Sequence, residues 1–440
     1  MREKIYLLKF AILIGDVLLF YLALFSALML RYTDFSFWPG SQTKVFLFHF
    51  SIIHVFWLIF LFALDFYEIP PFKKIYEFLR NLVIFVFLAG SLGVIYFYLK
   101  PQAVIAPKTI LVLDVLIFSL FLSAWRYLFN KLLRTKNFKE KIIIAGDKLR
   151  LDYSLLEKIK ESNYEIAAFF DISQGIDELK EIIENNNVDT IVFSFNIYES
   201  KELCQQIFSN LPLELNFVSF NRFYETITGK IPLNTIDELW FLENISQAKR
   251  RTYELAKRSF DVFFSIFGLV LTGIIFPFVA LAVKIDSKGP ILYSQKRVGL
   301  KEKEFNFYKF RTMITDAEEQ GPQWASKDDP RITRVGKFLR ITHLDEFPQF
   351  WNILKGELSF VGPRPERPEF VEKLKKEIPY YDIRHLIKPG FTGWAQIKYQ
   401  YGASVKEAEE KLSFDLFYIK NRSFFFDLAI LFKTIQLVFR

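Results

Sequence analysis

One cysteine, Cys204, stands in 440 residues. That excludes an internal disulfide and any thiolate metal cluster, and Cys204 reads as a small buried apolar residue. Histidine is almost as scarce. The four, His49, His54, His343 and His385, are not spaced as a metal site. Recognised nucleic-acid motifs are missing as well. The formal net charge of +8 and a pI of about 9.1 are therefore not read as a sign of a nucleic-acid partner. In a chain with long apolar runs, a basic balance points to cytosolic loops facing anionic lipid, or to an anionic substrate.

Apolar residues are abundant. They make up 51% of the chain, with 52 phenylalanines, and the mean hydropathy is +0.18. Four runs, Leu7–Leu30, Val45–Phe66, Phe78–Leu99 and Ile105–Phe129, are each long enough to cross ~30 Å of hydrocarbon as a helix. The basic start Met1-Arg-Glu-Lys resembles a signal peptide. Its run is long and lacks a small-residue cleavage site, so an uncleaved anchor is expected. Basic residues cluster before the first run, between the second and third, and after the fourth. This places both ends of the unit in the cytosol. Asp16, Asp65 and Asp114 lie in or at the ends of these runs, where interhelical hydrogen bonding or an interfacial position is expected before a proton path.

From Lys139 to about Asn244 the pattern changes. Lys141–Gly146, Ile166–Phe170, Thr190–Phe195 and Leu215–Phe220 read as strands, with helices over Tyr153–Glu161, Gly175–Asn186 and Glu199–Leu211. The alternation predicts a parallel, doubly wound sheet. A dinucleotide site needs three glycines after the first strand, and Gly146-Asp-Lys-Leu-Arg-Leu has one. A structural or oligomerisation role is expected instead, and an oxidoreductase built on this segment is disfavoured.

Lys249, Arg250, Arg251, Lys257 and Arg258 precede a further apolar run, Phe260–Val283, interrupted by Pro277 and followed by Lys284 and Lys288. Basic flanks on both sides and a helix-breaking proline predict a helix, over 257–284, that enters and leaves the same leaflet.

The segment beyond it carries the chemistry. Glu304–Arg311 alternates as a strand, which sets Lys309 and Arg311 on one face, either as a half-exposed edge or as a phosphate-binding pair. Arg331, Arg334 and Arg340 accompany a short helix over Val335–Arg340, and at least one is expected on a phosphate, which the planar guanidinium grips with two bonds. Thr342 is expected to cap a helix that starts with Asp345 and Glu346. Those carboxylates either favour the helix dipole or form a catalytic pair, one attacking phosphorus and the other serving as base or metal ligand near Mg²⁺. Arg364 sits between Pro363 and Pro365, a rigid turn that presents its guanidinium with little entropy left to lose.

Lys309-Phe-Arg311, Asp329-Pro-Arg-Ile-Thr-Arg-Val-Gly336, Leu344-Asp-Glu346 with Pro348-Gln349, Val361-Gly-Pro-Arg-Pro365 and Lys388-Pro-Gly-Phe-Thr-Gly-Trp-Ala-Gln396 occur in this order. The set resembles the bacterial sugar transferases, monotopic phosphoglycosyl transferases acting on polyprenyl phosphate. Asp415 and Tyr418 fit the family's acidic segment near the end, and the helical and α/β units upstream resemble its long members. The resemblance implies that Asp345 attacks the β-phosphate of a UDP-sugar, releases UMP and passes the phosphosugar to undecaprenyl phosphate. Glu346 would be the base or metal-orienting partner, with Mg²⁺ at Asp345 and Glu346. Lys309, Arg311, Arg331, Arg340, Arg364, Gln396 and Asp415 would bind substrate. The chain has Phe276 where the family often has serine before the helix-breaking proline.

The expected fold is a membrane α-helical unit over 1–138, an α/β Rossmann-like domain over 139–247, and an α+β catalytic domain over 248–440 with re-entrant and interfacial helices. Asp427–Arg440 is expected in the membrane interface or beneath the catalytic domain. The expected location is the bacterial inner membrane, catalytic domain inward, starting exopolysaccharide or O-antigen units. A chain starting near Ala248 is expected to retain activity, leaving anchoring, homodimerisation or regulation to the upstream units. An inactive scaffold is the competing reading, and the intact Asp345, Glu346 and Arg364 argue against it.

Overall fold

The computed structural model describes residues 2–32, 41–64, 66–67, 75–99, 108–135, 139–146, 153–162, 164–171, 176–193, 205, 208, 215–245, 251–315, 317, 329–399 and 404–438. Asp65, Cys204 and most of the expected helix over Glu199–Leu211 lie outside the described residues.

The first apolar runs are helices α1 (Arg2–Arg31), α2 (Ser41–Ala63), α3 (Ile75–Leu99) and α4 (Lys108–Thr135). With the later helix α9 (Arg251–Asp286), five helices among the described residues are long and apolar enough to cross a membrane. Phe20, Phe50, Trp57, Phe85 and Phe118 are fully buried between the first four helices, while Leu18, Phe48, Val83, Phe87 and Leu120 face outward. An apolar outer surface suits hydrocarbon as solvent, and the interior acids need partners there. Asp16 accepts two hydrogen bonds from Arg126, at 3.0 and 2.7 Å, and Asp114 meets His54 Nε2 at 2.9 Å. For these two acids the expected interhelical pairing is observed.

The next segment forms β1 (Glu140–Ala145), α5 (Tyr153–Glu161), β2 (Tyr164–Phe170), α6 (Ile176–Asn186), β3 (Thr190–Phe193) and β4 (Asn216–Ser219). The strands make a parallel sheet in the order β2-β1-β3-β4. Ile142, Ile143, Ile144 and Ala145 are all buried, as a central strand covered on both faces requires. The chain packs as two compact units, and the second takes in 191–440.

Residues 220–245 belong to that second unit. Helices α7 (Phe220–Thr228) and α8 (Glu238–Asn244) flank a short link. In the link, Ile231 is fully buried and shares a core with Leu412, Leu416 and Tyr418. Ile231 N donates to Ser413 O at 3.0 Å, and Trp394 Nε1 donates to Gly229 O at 2.7 Å. Lys230 pairs with Glu410 at 2.7 Å, and Lys420 donates to both oxygens of Glu225 at 2.9 Å. Composition alone hid this, because the apolar residues of 220–245 resemble those of the preceding α/β segment.

Helix α9 carries Pro277 inside it. Proline cannot donate to the Gly273 carbonyl one turn back, which weakens the helix there. Beyond α9 come the antiparallel hairpin β5 (Leu292–Val298) and β6 (Glu304–Phe310), then α10 (Arg334–Ile341), a 3₁₀ turn over Leu344–Gln349, and α11 (Phe350–Lys355). Strand β7 (Ser359–Val361) pairs in parallel with β8 (Gly390–Thr392), on either side of α12 (Pro368–Glu377). Helices α13 (Trp394–Lys398), α14 (Val405–Asn421) and α15 (Phe424–Val438) end the described chain. On α15, Ile430 is buried and Phe425 exposed, while Asp427 accepts from Tyr253, Lys257 and Tyr418. The helix thus packs against α9 and α14 and leaves an apolar edge outside.

Candidate active site

Lys309 projects from β6 with its stem half-buried, and its Nζ donates to Glu346 Oε1 at 2.7 Å. Arg364 donates through Nη2 to the same oxygen, also at 2.7 Å. Asp345 Oδ2 lies 3.8 Å from Lys309 Nζ. Residues from two separate stretches of chain therefore converge on two adjacent, buried carboxylates of a third.

The local sequence explains the placement. Thr342 was expected to open the helix, but it closes α10: its hydroxyl donates to the Phe338 carbonyl at 2.9 Å. His343 then takes the left-handed conformation, φ 55, which histidine adopts more readily than most residues. This turn starts the 3₁₀ segment carrying Asp345 and Glu346. On the other side, β7 and β8 approach closely because Gly362 directly follows β7 and Gly390 opens β8. A Cβ on Gly362 would stand 2.5 Å from the Lys388 carbonyl oxygen, and one on Gly390 would stand 2.1 Å from Gly362 N. Gly362 N bonds Thr392 O and Gly390 N bonds Pro363 O, each at 2.9 Å. Arg364 follows directly, so its backbone is fixed before its side chain reaches Glu346.

Environment separates the two carboxylates. Burial opposes ionisation of Glu346, but Arg364 and Lys309 outweigh it and hold the group well below the usual carboxylate range. For Asp345 burial wins over Lys309, and the adjacent Glu346 charge adds to it, so its carboxyl lies above the usual range. Neighbouring acids driven apart in this way take different roles. Glu346 is a fixed anion between two cations. Asp345 keeps the more basic and less tethered oxygens.

The other expected residues fall elsewhere. Arg311 donates to the Lys288 and Ser287 carbonyls at 2.6 and 2.7 Å, where it holds the exit of α9. Strand β6 ends at Phe310, so the period-two argument does not carry Arg311 to the Lys309 site. Arg331 grips Asp329, with Nε at 2.8 Å from Oδ1, and donates to Ala317 O at 2.7 Å. That pairing holds Asp329 down at about 2. Arg340 Nε donates to Thr312 Oγ1 at 2.9 Å; burial lowers its affinity for a proton while Asp345 raises it, which keeps it within electrostatic reach of the pair. Gln396 turns to the Phe391 carbonyl at 3.2 Å. Asp415 accepts from Arg384 at 2.9 Å, and Arg384 also donates to Arg364 O at 2.9 Å. Asp415 therefore acts on Arg364 through Arg384.

Sequence reasoning missed Arg384 and Asn352. Fully buried, Asn352 donates to Asn306 O at 2.7 Å and accepts from Tyr308 N at 3.3 Å. It ties α11 to β6 across 46 residues, a separation that no local pattern signals.

Two buried groups near Arg384 respond to pH in opposite ways. Burial, against Arg384, pushes Asp415 from 3.8 up to about 6. Burial and Arg384 push His385 from 6.5 down to about 4. Between those values unfolded Asp415 has lost a proton that the folded group keeps, so its contribution to stability falls as pH rises. Unfolded His385 takes up a proton that the folded ring refuses, so its contribution falls as pH drops. Each is worth roughly 3 kcal/mol across its window, and the two largely cancel between pH 4 and 6. His385→Phe should therefore unmask a thermal midpoint in detergent that drops as pH rises through that range. A midpoint that climbs instead would contradict the burial of Asp415.

Residues 252–440 match the model of the bacterial sugar transferase family. The chain is 39% identical over 214 residues to a UDP-N-acetylgalactosamine-undecaprenyl-phosphate N-acetylgalactosaminephosphotransferase of Aeromonas hydrophila, a match covering 49% of this chain and 50% of that protein. It is 41% identical over 183 residues to a UDP-glucose:undecaprenyl-phosphate glucose-1-phosphate transferase of Escherichia coli (strain K12), covering 41% of this chain and 39% of the other. These two matches thus span half or less of the relatives' own length. An undecaprenyl-phosphate galactose phosphotransferase of Salmonella typhimurium is 30% identical across 99% of this chain and 97% of its own. The family match begins one residue inside α9 and contains Lys309, Asp345, Glu346 and Arg364; with end-to-end likeness to the Salmonella protein, it makes this chain a member of the bacterial sugar transferase family.

Proposed function

We propose that the chain transfers a sugar 1-phosphate from a UDP-sugar to undecaprenyl phosphate and releases UMP, the first membrane step of exopolysaccharide or O-antigen synthesis. The observation that carries this reading is the division of the carboxylate pair: Glu346 held by Lys309 and Arg364, Asp345 left with a 3.8 Å cation contact. An Asp345 oxygen attacks the β-phosphorus, the bond from that phosphorus to the bridging oxygen breaks, and UMP leaves with the bond's electrons. An oxygen of undecaprenyl phosphate then attacks the same phosphorus and displaces Asp345 as carboxylate. Glu346, held so acidic, is a poor proton acceptor, and an ionised phosphate acceptor needs none. Its role is to aim Lys309 and Arg364 at the diphosphate. The names of the relatives, all acting with undecaprenyl phosphate, support the choice of acceptor.

Mg²⁺ fits this donor set. It takes one or two carboxylates and completes its shell with substrate phosphate and water, and Asp345 with Glu346 Oε2 meets that need; bound there it would neutralise diphosphate charge. UMP release from a panel of UDP-sugars, with and without undecaprenyl phosphate, tests the reaction. Absence of UMP with every sugar would refute it.

The same reading puts α9 in one leaflet, with the catalytic elements on the cytosolic face of the inner membrane. Asp261, near its start, accepts from Phe360 N at 3.1 Å, and Asp286, at its end, accepts from Val335 N at 2.8 Å. Between them Thr272 lies 3.5 Å from Phe347 O. One face thus packs along its length on the elements that hold the site, through these polar contacts and through apolar ones to Phe310, Leu339 and Phe350, while Phe263, Phe267, Ile274, Phe278 and Leu281 are exposed on the other. A spanning helix would carry those polar elements through hydrocarbon. With Cys204 replaced by serine, cysteines placed at Lys249 and Lys288 should both escape a membrane-impermeant thiol reagent in intact cells. Labelling at Lys288 alone would establish a span.

A further inference from the structure

A second charged recess lies beside the first turns of α9, away from Asp345. Lys257, Arg258, Lys388 and Arg422 line it, with Glu254 and Asp261. Most of these charges are satisfied. Lys257 pairs with Asp427 at 2.6 Å, and Arg422 with Glu254 at 3.1 Å. Asp261 accepts from Ser359 Oγ at 3.2 Å and Phe360 N at 3.1 Å. Among the described residues Arg258 donates only to neutral oxygens, the Ile353 and Leu354 carbonyls at the end of α11, each at 2.7 Å. Lys388 has neither a hydrogen bond nor an ion pair among the described residues. It is half-buried, and burial together with Arg258 holds its ammonium below the usual range, the mark of a cation with too little counter-charge.

Lys388 and Arg258 converge. A Cβ built on Gly356 would stand 3.3 Å from Lys388 Nζ and 3.5 Å from Arg258 Cζ. The recess therefore presents two neighbouring cations, and the acids within their electrostatic reach, Asp261 and Glu254, are already engaged by Phe360 N and Ser359 and by Arg422; a phosphate complements such a pair. Its position names the source. Phe263, Phe264, Ile266 and Phe267 are exposed one turn further along α9, and Phe425 on α15 is 76% exposed. Those side chains need hydrocarbon around them, which sets the recess at headgroup depth.

We propose that this recess binds the phosphate of an anionic membrane lipid headgroup, at a site separate from the Asp345 centre. Val361 lines the recess and ends β7, three residues before Arg364, and Tyr418 donates to Val361 O at 3.3 Å. An occupied recess would thus brace the strand that aims Arg364.

The test uses the full chain, delipidated in detergent and titrated with phosphatidylglycerol, phosphatidylcholine or inorganic phosphate, with bound lipid counted by native mass spectrometry and bound phosphate by equilibrium dialysis. The wild type should retain phosphatidylglycerol over phosphatidylcholine. Lys388→Gln should weaken that binding about tenfold or more, the usual effect of losing a charge-assisted hydrogen bond, and Lys388→Arg should restore most of it. Asp345→Asn should bind the lipid as the wild type does, which separates this site from the reaction proposed above. Equal binding by Lys388→Gln in a folded protein would overturn the site. Lys388-dependent binding of inorganic phosphate without phosphatidylglycerol binding would overturn the lipid source.

Discussion

Asp345→Asn should lose UMP release by at least about three orders of magnitude, because an amide is a poor nucleophile for phosphorus and no neighbouring group can take its place. The substitution keeps the size of the side chain and leaves the Lys309–Glu346–Arg364 cluster untouched, so folding should change little. After a rapid quench with UDP-sugar alone, the wild type should carry a phosphosugar adduct on Asp345 and the variant none. Glu346→Gln provides the contrast. It leaves Lys309 and Arg364 without their shared anion, so it should slow both half-reactions by roughly two orders of magnitude yet still form the adduct. An adduct on Asp345→Asn and none on Glu346→Gln would exchange the two roles.

The second large effect is one of stability. A chain starting at Ala248 keeps Lys309, Asp345, Glu346 and Arg364, and on composition alone it should be active. Packing predicts otherwise. The cut removes Ile231 and Ile236 from the core they share with Leu412, Leu416 and Tyr418. Loss of one large buried aliphatic side chain costs about 2–5 kcal/mol. It also removes the two 2.9 Å bonds from Lys420 to Glu225 and the acceptor of the Trp394 indole N–H, Gly229 O. Summed, these losses rival the whole stability of an ordinary domain. The Ala248 chain should therefore be expressed poorly or aggregate, whereas one starting at Asn216 should fold in detergent and release UMP. A stable, active Ala248 chain would show that residues 220–245 are dispensable. An inactive but well-folded Asn216 chain would show instead that the upstream helices take part in the reaction.

How much of this could be read before folding depended on the range of each interaction. Hydropathy is a local property, so the four opening helices and α9 were legible from runs of twenty or more apolar residues. Alternation and capping are also local, and they located β1, α5 and α6 to within two residues. Motif order supplied the family and the candidates Lys309, Asp345, Glu346 and Arg364. The same local reasoning failed where the chain turned sharply. Thr342 looks like the cap of a helix carrying Asp345, yet the left-handed His343 makes it the end of α10. Arg311 shares a strand face with Lys309 on paper, but the strand stops one residue short of it.

Residue order alone dictates where the apolar stretches lie, which arginines and carboxylates exist, and how they succeed one another. Which cation meets which anion is settled only on folding. Lys309 and Arg364 are 55 positions apart, and the shared oxygen of Glu346 between them depends on the β5–β6 hairpin, the His343 turn and the glycine-permitted approach of β7 to β8. The division of labour between Asp345 and Glu346 depends on the same assembly. Two adjacent carboxylates are nearly alike as isolated side chains, and only buried, unequal contact with distant cations drives them apart.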